Sequence, residues 1–339
     1  MYMVTGSPLG GRMLLRVKDF LAACQLDWDD AISFTAVLMD DDVIAATGSL
    51  DGGTIKCVAV SSEYQGQDLT ARILTVLLQE AASQGREHLL LYTKPHNGPL
   101  FAPLGFHPVI RTPGCLLMEN RRGGFEQYLS GIDKPLGQSV GCVVANCDPF
   151  TMGHRKLIEA AARECTWVHV FILSQDRGMF AAEERLAMAK EGIADLANVL
   201  VHPTGPYMVS SATFPTYFIK DKARSGEIHC ELDVRLFGEK IAPALSIVRR
   251  YVGTEPSCAV TAQYNQRMKE LLPAYGIEVV ELERFAAHGE IISASRIRSL
   301  IRENRIEALE GLLPQSSLRR IHARKGEAPC HIPTECKET

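Results

Sequence analysis

Two rhythms of apolar and polar positions divide the chain. From Phe34 the residues FTAVLMDDDVIAATGSL form two β-rich runs around an acidic turn, and GGTIKCVAVS adds a third, so a meander is expected. Next, DLTARILTVLLQEAASQG carries apolar residues at helical spacing up to a helix-stopping Gly85. The strand HLLLYT, a short segment NGPLFAPLGF and a last strand near CLLMEN follow. This first part is expected to be an antiparallel sheet with helices against it, an α+β domain.

Beyond Ser139 the rhythm changes. SVGCVVANC is a continuous apolar strand, HRKLIEAAARE a helix, WVHVFILS a strand, AAEERLAMAKEGIADL a helix and VLVHP a strand. The alternation continues through HCELDVRLFGEKIAPAL, RRYVG, AVTAQYNQRMKELLPAYG and IEVVELER to a final helix, SRIRSLIREN. Alternating strand and helix signals predict a Rossmann-like, doubly wound parallel sheet. The Gly-rich, charged stretch before it marks a boundary. The expected division is residues 1–130 as one domain, 131–138 as linker, 139–314 as the second domain and 315–339 as a mobile tail without periodicity.

Composition narrows the function. A chain of 339 residues suits two domains, with 46% apolar and 22% charged residues. A net charge of −4 offers no broad basic field, so nucleic acid is not an expected partner. The start MYMVTGSPLGGRML lacks the pattern of a secretory signal, and no apolar run approaches the roughly 20 residues of a membrane span. A cytoplasmic, membrane-free protein is expected. The ten cysteines are scattered, form no CxxC pair and are expected as buried thiols, without a zinc site.

Ligands of a doubly wound sheet bind beyond the carboxyl ends of the strands, where the first βα turn opens. Here that turn is NCDPFTMGH, Asn146 to His154. The helix start after it offers unpaired N–H groups and partial positive charge to a phosphate. Gly153 leaves room for close approach, Thr151 offers a hydroxyl, and His154 offers a ring donor for an oxygen that gains charge during reaction. The plainer alternative is a capping Thr151 and a surface His154. A second stretch, EIISASRIRSLIREN, adds Ser293 and Ser295 at a helix start with Arg296, Arg298 and Arg302 behind them, a plausible second clamp.

The pair TMGH at 151–154 and ISASRIR at 292–298 resembles the signatures of the HxGH/TxGH nucleotidyltransferase superfamily, with Thr in the first position. The resemblance implies ATP as substrate with Mg²⁺, Thr151 and His154 on the triphosphate, and Ser293, Ser295 and Arg298 on the β- and γ-phosphates, Arg298 beside the reacting groups. Pro149, Phe150, Gly153 and Lys156 would complete the phosphate site. Arg155 and Lys156 could assist the phosphates or be solvated surface, Arg185 reads as an ion pair with nearby Glu residues or a phosphate contact, and Asp148 as turn chemistry or the holder of a metal-bound water. His169 and His202 are expected to be structural, and Asp221, Lys240 and Glu255 have no assigned role.

A longer resemblance runs through NCDPFTMGHRKLIE, FPTYFIKD, LDVRLFGEKIAPAL and VGTEP, and is to the citrate lyase ligase family. It implies adenylation of acetate and transfer of the acetyl group to the thiol of the phosphoribosyl dephospho-CoA group on the citrate lyase acyl carrier protein. The first domain, through VSSEYQGQDLTARILTVLL and LFAPLGFHPV, resembles the GNAT acetyltransferase fold. Of that fold's CoA-binding loop only Gly66 is matched, since Glu63 and Asp68 stand at its first and last positions. Gln65 and Gly66 are therefore candidates for holding a CoA-like arm, and acetyl transfer from acetyl-CoA is not expected. The alternatives are an adenylyltransferase of cofactor synthesis with a phosphate-ester acceptor, and a non-catalytic nucleotide-binding scaffold.

Overall fold

In the computed structural model, which describes residues 1–175, 178–210, 213–255, 258–287 and 289–324, the strands gather into sheets of seven, five and two. The seven-stranded sheet is built from β1 (Tyr2–Gly6), β2 (Phe34–Asp40), β3 (Val43–Asp51), β4 (Thr54–Val60), β5 (Leu90–Thr93), β6 (His107–Arg111) and β7 (Leu116–Glu119), in the order β1-β2-β3-β4-β5-β7-β6. Helices α1 (Gly11–Ala23), α2 (Leu69–Ser83), α3 (Gly98–Phe101) and α4 (Gly124–Ser130) interleave with them.

The strands expected from Phe34 to Ser61 pair antiparallel as a meander. The sheet is nevertheless mixed, because α2 carries the chain across and brings β5 parallel to β4. That pairing spans two residue pairs, Thr54 with Leu90 and Ile55 with Leu91. The apolar stripe of α2, Ile73, Leu74, Leu77 and Ala81, buries itself with Phe34, Leu38, Leu91 and Phe106 in one core. Strands β1 and β6 and helix α1 lie outside the elements legible in the pattern.

The five-stranded sheet is wholly parallel, in the order β10-β9-β8-β11-β12. Its strands are β8 (Val140–Ala145), β9 (Trp167–Ile172), β10 (Val199–Pro203), β11 (Ile247–Gly253) and β12 (Glu278–Leu282). Helices α5 (Met152–Glu164) and α6 (Ala182–Gly192) make the first two crossovers. Helix α7 (Ser225–Leu236), the short α8 (Ala242–Leu245) and α9 (Ala259–Leu271) lie between the later strands. After β12 come the hairpin of β13 (Ala286–Ala287) and β14 (Glu290–Ile291), then α10 (Ala294–Arg302) and α11 (Gln315–Arg324). The order reverses between β8 and β11, so the doubly wound reading is realised, with its switch point at β8.

The chain divides into two compact units: 1–133 with 206–244 and 263–275, and 134–205 with 245–262 and 276–339. The first unit is thus not continuous in sequence. What ties residues 206–244 to it is a set of buried polar anchors. Tyr207 donates to Glu119 Oε2 at 2.7 Å, and the same carboxylate oxygen meets His88 Nε2 at 2.8 Å. The backbone N–H of Phe125 donates to the other oxygen at 3.0 Å. Tyr217 donates to the Tyr92 carbonyl at 2.7 Å. Tyr207 and Tyr217 meet partners 88 and 125 positions away, so no local pattern announces them.

The tail is also different from its expectation. Gln315 to Arg324 is helix α11, with Ser316, Ser317 and Ile321 buried; the remainder of the tail lies outside the described residues. Leu318 and Ile321, at helical spacing, pack on the core of the second unit.

Tyr207→Phe removes one donor from a buried carboxylate that keeps two others. It should lower unfolding free energy by about 1–2 kcal/mol, read as a lower urea midpoint with unchanged slope.

Candidate active site

The turn after β8 is built from residues that cannot be satisfied locally. Asp148 is buried, and its two carboxylate oxygens accept the backbone N–H groups of Met179 and Phe180, each at 2.9 Å. Arg185, fully buried on α6, donates to the Asn146 carbonyl at 2.7 Å, Asn146 Oδ1 at 2.6 Å, Gln175 O at 2.5 Å and Phe180 O at 3.1 Å. Both residues sew the β9–α6 segment to the β8–α5 turn. Neither the turn chemistry nor the surface ion pair weighed from sequence describes them fully.

Helix α5 begins with a reciprocal cap. Thr151 Oγ1 accepts the His154 N–H at 3.2 Å, and His154 Nδ1 accepts the Thr151 N–H at 3.0 Å. The hydroxyl is also 2.9 Å from Nδ1. A ring nitrogen that accepts an N–H carries no proton, so the neutral imidazole holds its hydrogen on Nε2. Thr151 therefore caps the helix, as the plainer reading of TMGH has it, and in capping it aims a histidine donor. The ring stacks on buried Phe150, centroids 5.9 Å apart at 18°.

Although His154 keeps some exposed surface, enclosure of its ring lowers the pKa to about 4, with the nearby Arg284 guanidinium adding to the effect. Arg284 follows β12, donates to Thr254 O at 2.8 Å and pairs with Glu255. This cation was not foreseen from sequence.

The second signature joins the first. Ser293 is the N-cap of α10, and its side chain makes no capping hydrogen bond. Arg298 donates to the Asp148 carbonyl at 2.8 Å and to Ser295 Oγ at 3.1 Å. Helix α11 and the segment before it brace the same turn: Met152 N–H donates to Leu312 O at 2.9 Å, and Ser317 Oγ of α11 to Phe150 O at 2.7 Å.

The other residues singled out from sequence are spread over both units. Pro149 follows Asp148 through a cis peptide. A methyl group on Gly153 would stand 3.4 Å from Thr151 Oγ1 and 3.7 Å from Ile292, ordinary contact, so packing alone does not demand glycine there. Lys156 is half-exposed and paired with Glu159 at 2.8 Å, while Arg155 is paired with Glu159 and Asp195. His169 is buried, its Nδ1 3.1 Å from His202 Nε2. Gln65 and Gly66 lie in the other unit, between β4 and α2, with Gly66 at φ 79°. Among the described residues no group of three or more His, Cys, Asp or Glu is disposed to hold a metal ion, and no helix is long and apolar enough to cross a membrane.

A doubly wound sheet whose first turn presents a neutral histidine at a helix start, beside a serine–arginine helix start, is a nucleotide-handling architecture. Residues 140–321 match the family model described as citrate lyase ligase C-terminal domain. The chain is 39% identical over 310 residues to the [Citrate [pro-3S]-lyase] ligase of Klebsiella pneumoniae, covering 89% of this chain and 90% of that protein. Phosphopantetheine adenylyltransferase of Staphylococcus carnosus is 36% identical over 67 residues, 19% of this chain and 42% of its own. Among solved structures, an acyl-CoA N-acyltransferase from Pseudomonas aeruginosa aligns with 35% of this chain and 99% of its own, at 16% identity and a TM-score of 0.31. The chain belongs to the citrate lyase ligase family, a family of enzymes.

The lowered pKa sets a pH dependence. Relative to an ordinary value near 6.5, the folded state resists protonating His154 until about 4, so the unfolded chain binds more protons in between. This contribution costs nothing above about pH 6.5 and grows as pH falls toward 4. Nitrogen NMR of labelled histidine should show an Nε2–H neutral ring at pH 6, and His154→Gln should flatten the acid limb of stability.

Proposed function

We propose that the chain is an ATP-dependent acid–thiol ligase that activates citrate lyase. It would adenylate acetate, release pyrophosphate, and pass the acetyl group to the prosthetic-group thiol of the acyl carrier protein. Support comes from the family and, within the molecule, from one observation: the Thr151 cap leaves a neutral His154 with Nε2–H as its free donor, in the unit where Arg298 is bound to the same turn.

Acetate is a poor acyl donor because its oxygen leaves badly. An acetate oxygen attacks the α-phosphorus, the bond to the β-bridging oxygen breaks, and pyrophosphate departs. The thiolate of the carrier then attacks the acetyl carbon, and AMP leaves with the former acetate oxygen. The first step demands alignment and charge stabilisation rather than a protein nucleophile. His154 Nε2–H donates to the oxygen gaining charge. Ser293, Ser295 and Arg298 hold the departing phosphates.

Gly153 keeps the approach clear for the substrate rather than for the protein's own packing. Pro149 and Phe150 shape the turn and the platform under the ring. Thr151 works through His154, and Lys156 adds positive charge from beside its Glu159 pair. Mg²⁺, when bound, supplies neutralisation of the phosphate charges, held chiefly by phosphates and water. Gln65 and Gly66 in the first unit are assigned to the CoA-like arm of the carrier. In this reading the first unit is a GNAT-like module and the second is the adenylating domain. A cytoplasmic location accords with eight free cysteines among the described residues, six of them buried.

The match to a phosphopantetheine adenylyltransferase favours one second reading, a phosphate-ester acceptor. Exchange of labelled pyrophosphate into ATP decides between them. We expect exchange that requires acetate and Mg²⁺; exchange or pyrophosphate release that ignores acetate and requires a phosphate ester would sink the ligase reading.

His154→Ala should reduce acetate-dependent exchange by roughly 10²–10³-fold, the usual loss on removing one transition-state donor, with little change in ATP affinity. Near-normal turnover would take His154 out of the mechanism.

A further inference from the structure

Asp148 stands where three segments meet, and it touches the second signature without belonging to it. Its main-chain carbonyl accepts Arg298 Nη1 at 2.8 Å, and its Oδ2 lies 3.9 Å from the same nitrogen. The other end of the guanidinium donates to Ser295 Oγ at 3.1 Å. Arg298 is therefore held at two points, on the turn that carries His154 and on its own helix start.

We infer that Asp148 is a positioning residue that fixes the guanidinium of Arg298 for binding the nucleotide's phosphates; this rests on the ATP reading above. A free arginine side chain gives up rotamer freedom when it closes on a phosphate. One already held gives up less, and it meets the phosphate in one geometry.

The carboxylate is itself held. Met179 and Phe180 N–H groups donate to it at 2.9 Å, and Arg185 ties the same segment down through Gln175 and Phe180 carbonyls. Gly178 closes the remaining side: a Cβ there would fall 2.6 Å from Asp148 Oδ2 and 2.7 Å from its carboxyl carbon. With 4% exposure and two backbone donors, the carboxylate acts through Arg298 rather than as a ligand of a metal-bound water.

A double-mutant cycle on the full chain tests this, with ATP affinity measured by calorimetry without acetate and turnover by acetate-dependent exchange. Asp148→Asn keeps the volume but sets an amide NH₂ against a backbone N–H. It should weaken ATP binding about tenfold, and Arg298→Ala about tenfold to a hundredfold, as charge-assisted contacts are lost. The double variant should fall within about threefold of Arg298→Ala alone, because a residue acting through another adds nothing once that other is gone. Effects that multiply, or an Asp148→Asn affinity equal to wild type, would overturn the inference.

Should Asp148→Asn fail to fold, Gly178→Ala displaces the carboxylate while deleting none of its donors. It should show the same non-additivity with Arg298→Ala, and multiplying effects there would equally overturn the inference. A wild-type chain that binds no ATP would overturn the ligase reading and this inference together. A wild-type chain that binds ATP, with independent effects, overturns the inference alone.

Discussion

A cation without water has to be satisfied where it stands, and the buried guanidinium of Arg185 imposes that condition on the second unit. Leaving it unpaired would cost several kcal/mol, so the carbonyls of Asn146, Gln175 and Phe180 converge on it. Two loops that follow neighbouring parallel strands, β8 and β9, are thereby given one mutual arrangement. Asp148 meets the same segment from its other side, and the position of α5, of Thr151 and of His154 follows from both. The site is precise because buried charges leave the loops few alternatives.

In the proposed reaction the donor is a histidine that stays neutral. Solvated, its ring would be partly charged near pH 6.5. Enclosed, beside Arg284, and accepting the Thr151 N–H, it keeps a single proton on the nitrogen not used by the cap. In that proposal a neutral donor suits an oxygen whose negative charge appears only during reaction, while the permanent positive charge comes from Arg298 and the start of α10. Charge and donor are thus divided between two helix starts.

In the first unit the governing constraint is a buried carboxylate instead. Glu119, at the end of β7, collects Tyr207, His88 and the Phe125 N–H, and so draws a segment from far along the chain into its own unit. A second buried pair of contacts has the same character: Lys56 lies between Asp29 at 2.5 Å and Asp51 at 2.8 Å. These groups were opaque in sequence, where each looked like a charge or hydroxyl near an apolar run.

Local regularity was legible over most of the chain, though not at β1, α1, β6 or α11. Alternating strand and helix signals from Ser139 made the parallel sheet and its switch point readable, and TMGH and ISASRIR marked the two helix starts that the structure joins through Arg298. The helix at Gln315 was hidden because its apolar residues, Leu318 and Ile321, are few and find their partners in distant elements. The division of the chain was hidden for the same reason, since residues 206–244 are assigned by Tyr207 and Tyr217 contacts more than 80 positions away. Periodicity and capping depend on neighbours within a turn or a strand, so the sequence alone determined the elements and the residue types at the site. Desolvation and long-range hydrogen bonding depend on what the folded chain brings together. Only the tertiary structure decided which charges are buried, which tautomer His154 holds and where Arg298 is fixed.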